Sequence, residues 1–546
     1  MTRNRASRTA AAALAVSLLL AACSGSGNGG EGDGDGDTTS PNPDAGAGVV
    51  SINGTEPQNP LIPTATNEVG GGDILDLLFA GLVRYETDGT VVNEVAESIE
   101  TEDNQNFTIT LAEGWTFSDG TPVTSSSFVD AWNYGALLSN AQNSSYFFES
   151  IEGYSAEEDS ELTGLEVVDD RTFTVRLSQP EFDFPQRLGY SAFYPLPESA
   201  FEDMEAFGEN PVGNGPYQLA EEGAWVHNVQ IDVVPNESYT GGTPAQNDGV
   251  RVVFYDNLDT AYNDLIAGNL DIMDEMPSSA LASFEEELGD RAVNQPAALN
   301  QTLSVPSYLP QFEGEAGLLR RQAISLAIDR EQIAETIFSG AVTPAVDFTV
   351  PSIEGFTPDV PGNDLAQYDP ERAAELWAEA EAIEPWEGTL TISSNADGDH
   401  QAWIDAVANS IRNTLGIEAQ FEAYSQFSEF LDARDNQEIT GVFRAGWQAD
   451  YPSLVNFLAP IYSTGAGSND AFYSNPEFDD LMRQINAAES AEQANELVTQ
   501  AQAILFEDLP GIPLWVENAV GGHSEDVDNV EFAWNRQVEL PQVTKG

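Results

Sequence analysis

Apolar and polar positions alternate along the body of the chain with two different periods. Residues 107–111 alternate Phe, Ile and Leu with threonine, and residues 172–177 alternate Phe, Val and Leu with threonine and arginine. Successive side chains of a strand point to opposite faces, so both segments are predicted to be half-buried strands.

Helices are predicted where a capping residue precedes apolar positions spaced three or four apart. One begins at Asp369-Pro370 and another at Asn475-Pro476, because proline suits the first turn of a helix. A third is predicted to begin near Ser127, with Asp130 three residues on, and a fourth to span Leu318 to Phe338.

Strands and helices interleave through the whole body, which favours an α/β architecture with mixed sheets over a barrel or a bundle. After Gly48 no Gly- or Pro-rich linker divides the chain, so the domains are predicted to be discontinuous.

The first residues are typical of an export signal. Arg3, Arg5 and Arg8 precede an apolar run from Ala10 to Leu20, which is too short to remain as a membrane helix. The run ends in Leu20-Ala21-Ala22-Cys23, which resembles the bacterial lipobox. That resemblance implies cleavage after residue 22 and a lipid on Cys23, the only cysteine; the alternative is an ordinary cleavage site with a chance cysteine.

Residues 23–48 contain almost nothing apolar and are predicted to form a flexible tether between lipid and body. Asp33, Asp35 and Asp37 alternate with glycine as in a calcium loop. Thr38 stands where the loop glycine belongs and Asp44 where its final glutamate belongs, so no metal site is predicted.

The composition excludes nucleic acid as a partner. Ninety-one acidic residues oppose 19 basic ones, giving a formal charge of −72, and Lys545 is the only lysine. A polyanion repels DNA and RNA. So acidic a surface also leads to the hypothesis that the protein works at high ionic strength, where its self-repulsion is screened.

The residue patterns give no sign of an enzyme or of a cofactor. The three histidines, His227, His400 and His523, lie in no catalytic motif, and the HExxH, GxSxG and phosphate-loop patterns do not occur. An extracellular glycosidase with two paired carboxylates is the best catalytic alternative.

Six segments together resemble the extracytoplasmic solute-binding proteins of family 5, the oligopeptide- and dipeptide-binding components of ABC importers. They follow the family's order at similar spacing. They are GTEPQNPL at 54–61, LFAGLV at 78–83, WTFSDGTPV at 115–123, NPVGNGPY at 210–217, RQAISLAIDR at 321–330 and GWQADYP at 446–452.

The resemblance implies a type II periplasmic-binding-protein-like fold with two lobes, mixed β-sheets and an extra insert domain. One lobe would join residues 49–80, 198–296 and 516–546 to an insert domain at 81–197. Residues 297–515 would form the other lobe.

For function, the resemblance implies a monomer that captures peptides in an interlobe cleft and delivers them to an ABC permease. The protein would be lipid-anchored at the extracytoplasmic face of the cell membrane. Two alternatives stay open: another small solute such as a metal chelate, opine or sugar, or a lipoprotein that senses a ligand.

The same resemblance implies the binding residues. Asp450 would pair with the ligand's α-amino group, Trp447 would line a side-chain pocket, and Tyr146 would reach over the ligand. Arg444 would neutralise a ligand carboxylate, or alternatively form an internal salt bridge. Residues 440–447 have the β-prone character of an edge that could pair with a peptide backbone.

Overall fold

The computed structural model describes residues 48–66, 68–255, 257–396, 400–425 and 427–546. The predicted signal peptide, Cys23, the Asp33–Asp37 segment and nearly all of the tether lie outside these ranges. No helix in the described part of the chain has both the length and the apolar character needed to cross a bilayer.

The described residues form twenty strands and fourteen α-helices, interleaved along the chain as predicted. The strands are β1 Val49–Gly54, β2 Val83–Tyr85, β3 Val91–Asn93, β4 Ala96–Thr101, β5 Asn106–Leu111, β6 Leu165–Asp169, β7 Thr172–Arg176, β8 Tyr217–Leu219, β9 Trp225–Val226, β10 Gln230–Pro235, β11 Gly249–Phe254, β12 Ile272–Met273, β13 Ala292–Ser304, β14 Val342–Pro344, β15 Leu390–Asn395, β16 Ala419–Tyr424, β17 Val442–Gln448, β18 Gly511–His523, β19 Val527–Asp528 and β20 Thr544–Lys545. The helices are α1 Val69–Leu78, α2 Ser125–Ala136, α3 Phe184–Arg187, α4 Met204–Glu209, α5 Leu258–Ala267, α6 Phe284–Leu288, α7 Gly314–Leu326, α8 Arg330–Thr336, α9 Pro370–Ile383, α10 Gln401–Leu415, α11 Phe427–Asp435, α12 Ala459–Tyr462, α13 Pro476–Asn486 and α14 Ala491–Asp508.

The largest sheet mixes parallel and antiparallel pairs in the order β16-β15-β17-β13-β18-β12-β1-β11-β10-β8, with β14 on β18 and β9 on β10. A separate four-stranded antiparallel sheet has the order β4-β5-β7-β6. The two strands predicted from alternation, β5 and β7, pair with each other there, and Phe107 lies opposite Val175. This sheet falls within the predicted insert domain.

Two large hydrophobic cores divide the body into two lobes. The first core gathers buried residues from the N-terminal half and the C-terminal segment, among them Val50, Trp132 and Val543. The second draws on residues such as Ile392 and Leu505. The two-lobed α/β fold expected from the sequence is therefore confirmed.

The long antiparallel strands β13 and β18 connect the two lobes. Met273 of β12 pairs with Gly522 near one end of β18, and Leu303 near the end of β13 lies in the second core. The register of the pair shifts between Pro296 and Asn300, where a proline cannot donate to the ladder. The predicted lobe boundaries at residues 297 and 515 fall beside this shift, and they stay a prediction.

Capping explains where the predicted helices begin. Asp369 accepts from the N–H of Arg372 at 3.0 Å, and Asn475 caps α13, so both of those predictions are confirmed. The helix near Ser127 is confirmed, but it begins earlier, at Ser125. Ser127 is its third residue, and its Oγ accepts from the N–H of Thr124 at 3.1 Å.

The prediction of one helix from Leu318 to Phe338 is wrong, because the chain breaks it into α7 and α8. Asp329 caps α8 by accepting from the N–H of Gln332 at 3.0 Å. The next residue, Arg330, is buried and donates to the carbonyls of Ser325 at 3.0 Å and Pro513 at 2.8 Å. The break frees helix-end carbonyls that replace water around this guanidinium.

Two segments of the family resemblance meet in the first lobe. The side chain of Asn214 accepts from the N–H of Ala80 and donates to its carbonyl, both at 3.0 Å. A Cβ on Gly213 would overlap the carbonyl of Leu78. The turn at 211–217 therefore needs glycine so that its backbone can lie against the end of α1.

We predict that Gly213→Ala lowers the free energy of unfolding by about 1–3 kcal/mol, because the methyl group meets backbone that cannot move aside. Gly72→Ala is the matched control: its Cβ would meet nothing within 4 Å, inside helix α1. We expect it to raise the free energy by about 0.5–1 kcal/mol. Urea unfolding measures both, and an equal effect of the two substitutions would contradict the close approach.

Candidate functional site

A cavity of about 690 Å³ lies between the two lobes. One wall comes from α1 and the strand β1, another from the end of β17, and a third from the C-terminal segment at 533–541. Clefts of this size between lobes are typical places for small-molecule and peptide ligands.

Asp450 and Trp447 both line the cavity, and they share one hydrogen-bonding partner, Asn456. The Nε1–H of Trp447 donates to Oδ1 of Asn456 at 2.8 Å. The Nδ2–H of Asn456 donates to Oδ2 of Asp450 at 3.1 Å, and the N–H of Asp450 donates back to Oδ1 at 3.2 Å. One asparagine thus fixes the positions of an aromatic ring and a carboxylate.

The Asp450 carboxylate is half-buried without a close cation. Burial raises its pKa to about 6, although the hydrogen bond from Asn456 and the charge of Arg187 lower it. Within the described ranges no Lys, Arg or His nitrogen lies within 4.0 Å of it. The carboxylate therefore keeps unused capacity to accept hydrogen bonds and to pair with a positive charge.

Tyr146, which the family resemblance implies would reach over the ligand, also lines the cavity. Its side chain is 47% exposed, and its ring lies against Phe147 with centroids 4.6 Å apart. Phe147 in turn stacks on Tyr190 at 4.4 Å. Burial raises the pKa of Tyr146, and the negative charge of Asp450 raises it further, so the phenol stays a neutral donor near that carboxylate.

Arg444 does not line this cavity. Its Nε–H donates to Oε1 of Gln301 at 3.3 Å, and the pKa of Arg444 is lowered by burial and raised by the charge of Glu517. Arg444 and Trp447 are three positions apart on one strand, so their side chains point to opposite faces. Arg444 therefore contacts Gln301 and lies away from this cavity, and its expected contact with a ligand carboxylate stays a prediction.

A second set of carboxylates on the cavity wall was missed from the sequence. Asp73 and Asp76 lie one turn apart on α1, and Asp274 follows β12. The side chain of Gln537 donates to Asp73 at 3.0 Å and to Asp76 at 2.7 Å. The only local signal was a pair of acids three residues apart in an otherwise apolar helix.

A half-buried arginine joins the lobes beside Asp450. Arg187 of the first lobe forms ion pairs with Glu181 at 3.2 Å and Asp183 at 3.3 Å. Its guanidinium lies 5.4 Å from the ring centroid of Tyr451, which follows Asp450 in the second lobe. This stacking holds the loop carrying Asp450 against the first lobe.

A smaller cavity of about 160 Å³ adjoins the main one through Trp447 and Ser468. Buried Asn300, Thr302 and Ser304 line it. No cluster of three His, Cys, Asp or Glu residues that could hold a metal ion occurs in the described ranges.

The raised pKa of Asp450 predicts that ionisation of this carboxyl group lowers the stability of the ligand-free protein. The folded pKa of about 6 lies above the ordinary value of 3.8, so ionisation destabilises the folded state. This cost is absent below about pH 4, grows up to about pH 6 and is complete above it.

We therefore predict that Asp450→Asn stabilises the ligand-free protein at pH 7.5 by on the order of 1–2 kcal/mol, and that the gain vanishes near pH 4. Thermal and urea unfolding across this pH range measure it. Glu335→Gln, at an exposed position, is the control and should change little at any pH. A gain for Asp450→Asn that did not depend on pH would contradict the assignment.

Three comparisons with known proteins agree on the family. The model of the bacterial extracellular solute-binding proteins, family 5, matches residues 90–469. The chain is 26% identical over 485 residues to the oligopeptide-binding protein OppA of Bacillus subtilis, covering 84% of this chain and 86% of that one. It is 28% identical over 509 residues to the periplasmic oligopeptide-binding protein OppA of Salmonella typhimurium, covering 88% and 91%.

The fold agrees as well. The unliganded open form of the periplasmic murein tripeptide-binding protein MppA superimposes with a TM-score of 0.76 at 22% identity, covering 91% of this chain and 97% of that one. With its two lobes, its interlobe cavity and the matched model, this chain belongs to the bacterial extracellular solute-binding proteins, family 5.

Proposed function

We propose that this protein captures peptides in the interlobe cavity and delivers them to an ABC permease. The observation that carries the proposal is the Asp450 carboxylate, which faces the cavity beside Trp447 without a cation within 4.0 Å in the described ranges. Two relatives with sequence identity above 25% are named as oligopeptide-binding proteins.

A peptide's α-amino group fits the needs of this carboxylate. Moving an ammonium group out of water costs several kcal/mol unless a negative charge and hydrogen bonds replace its hydration. Asp450 supplies the charge, and Asn456 holds it in position. The free energy that the protein loses by keeping Asp450 ionised and half-buried is recovered when the ligand arrives.

The backbone of an extended peptide has an edge to pair with. Strand β17 pairs with β13 over residues 443–448, whereas on its other side, within the described ranges, β15 pairs only with Val442 and Phe443. Residues 444–448 therefore offer a strand edge that leads to Asp450. Pairing along such an edge gives affinity without reading side chains.

The smaller cavity beside Trp447 would receive one ligand side chain. Its polar floor of Asn300, Thr302 and Ser304 suits a side chain hydrated by a few waters.

We further propose that the protein is a monomer without enzymatic activity, held at the extracytoplasmic face of the membrane by a lipid on Cys23. The basic and apolar segments before Cys23 and the polar residues 24–48 support this arrangement. The tether would let the body reach both its ligand and its permease.

We predict that Asp450→Asn weakens binding of tripeptides with a free amino terminus by about 30- to 150-fold, since a charge-assisted contact of roughly 2–3 kcal/mol is lost. The same peptides with an acetylated amino terminus should bind weakly to both proteins, with little difference between them. Calorimetry on protein freed of bound ligand by unfolding and refolding measures this, with Glu335→Gln as control. Equal losses for free and acetylated peptides would reject the role of Asp450.

We predict that Cys23→Ser abolishes incorporation of labelled palmitate and moves the protein from the detergent phase to the aqueous phase of a Triton X-114 partition. Ser24→Ala, one residue further on, is the matched control and should keep both properties. A Cys23→Ser protein that stayed in the detergent phase would show that another element anchors the chain.

A further inference from the structure

The wall of the main cavity carries an excess of negative charge beyond Asp450. Seven carboxylate residues and two arginines line it. One arginine, Arg84, is engaged by Glu94 at 3.0 Å and Glu86 at 2.8 Å. The other, Arg536, lies 3.9 Å from Glu517. A ligand entering the cavity therefore meets a field that favours positive charge.

Three of these seven residues, Asp73, Asp76 and Asp274, form what we call the acidic group. Neutral donors hold these carboxylates in position. Gln537 donates to Asp73 and Asp76, the hydroxyl of Tyr194 donates to Asp76 at 2.7 Å, and the side chain of Asn53 donates to Asp274 at 2.7 Å. No ion pair within 4.0 Å to any of the three occurs in the described part of the chain.

Aromatic rings on the same wall independently favour a cation. Tyr85, Tyr190, Tyr194 and Trp534 all line the cavity, and the rings of Tyr85 and Trp534 meet edge to face at 5.7 Å. The face of an aromatic ring attracts ammonium and guanidinium groups. Apolar rings beside carboxylates also fit the long aliphatic stem of a lysine or arginine side chain.

The acidic group lines the same cavity as Asp450, the proposed site of the α-amino contact. Burial raises the pKa of Tyr190, and so do the charges of both Asp450 and Asp76. The pKa of Tyr85 is raised by burial and by the same two carboxylates. Asp450 and the acidic group line one cavity of about 690 Å³ together with these two rings, so one ligand can reach both.

We propose that the protein selects peptides that carry a basic side chain, with Asp450 taking the α-amino group and the acidic group of Asp73, Asp76 and Asp274 taking the side-chain cation. This inference rests on the proposed function, because it assigns a second contact to the same ligand.

Binding of a basic side chain at the acidic group is expected to displace a proton from Asp73. Burial and the charges of Asp274 and Asp76 raise the pKa of Asp73 to about 8, against the opposing hydrogen bond from Gln537 and the charge of Arg536. Burial raises the pKa of Asp274 to about 6. Near pH 7.5 the Asp73 carboxyl is largely protonated, and a cation beside it lowers its pKa, so binding of a basic side chain releases a proton.

The test compares tetrapeptides of alanine in which one residue at each position in turn is lysine, norleucine or glutamate. Norleucine keeps the aliphatic stem of lysine and lacks its charge. Calorimetry on ligand-stripped protein at pH 7.5 should show, at one position, lysine bound about tenfold more tightly than norleucine, and glutamate more weakly than both. In two buffers of different ionisation enthalpy, the lysine peptide should release more protons than its norleucine partner.

The double substitution Asp73→Asn and Asp76→Asn should erase the difference between lysine and norleucine. The matched control, Glu335→Gln with Glu379→Gln, removes two exposed charges and should preserve the difference. If the double variant fails to fold, the wild-type panel and its proton release still decide the question.

The possible failures are distinguishable. Norleucine peptides binding as tightly as lysine peptides at every position would overturn the selectivity and leave peptide capture intact. A protein that binds no peptide with a free amino terminus, of any sequence, would overturn the proposed function itself.

Discussion

The half-buried carboxylate of Asp450 is the constraint on which the account of this protein depends. A charge placed there without a cation close by loses hydration that the hydrogen bond from Asn456 only partly replaces, and its pKa rises to about 6 as a result. A folded protein gains nothing from such a group by itself. A ligand with an ammonium group converts the same cost into affinity, so the site is less favourable empty than occupied.

The fold places Asp450 between two lobes that the strands β13 and β18 connect. Strands β13 and β18 run from one core to the other, and their register shifts where Pro296 interrupts the ladder. Asn456 fixes Asp450 and Trp447 from the second lobe, while Arg187 stacks on Tyr451 from the first. Residues of both lobes therefore line the cavity, so a ligand within it would contact both lobes at once.

Local patterns in the sequence predicted the elements whose causes are local. Alternation located β5 and β7, and capping residues located α9 and α13, because neighbours in the chain decide these structures. The helix from Leu318 was predicted too long, since Arg330 takes a carbonyl from Pro513 that is distant in the chain.

The binding residues followed the same rule. Asp450, Trp447 and Tyr146, which the family resemblance singled out, line the cavity, whereas Arg444 does not. The acidic group was not predicted from the sequence, because Gln537, which holds Asp73 in position, lies 464 positions away and no local pattern connects the two residues.

The most direct measurement is a crystal structure of the protein with a lysine-containing tetrapeptide. We expect the α-amino nitrogen within about 2.7–3.2 Å of a carboxylate oxygen of Asp450, with the peptide backbone along β17. An amino terminus held elsewhere, with Asp450 facing only water or protein, would contradict the account.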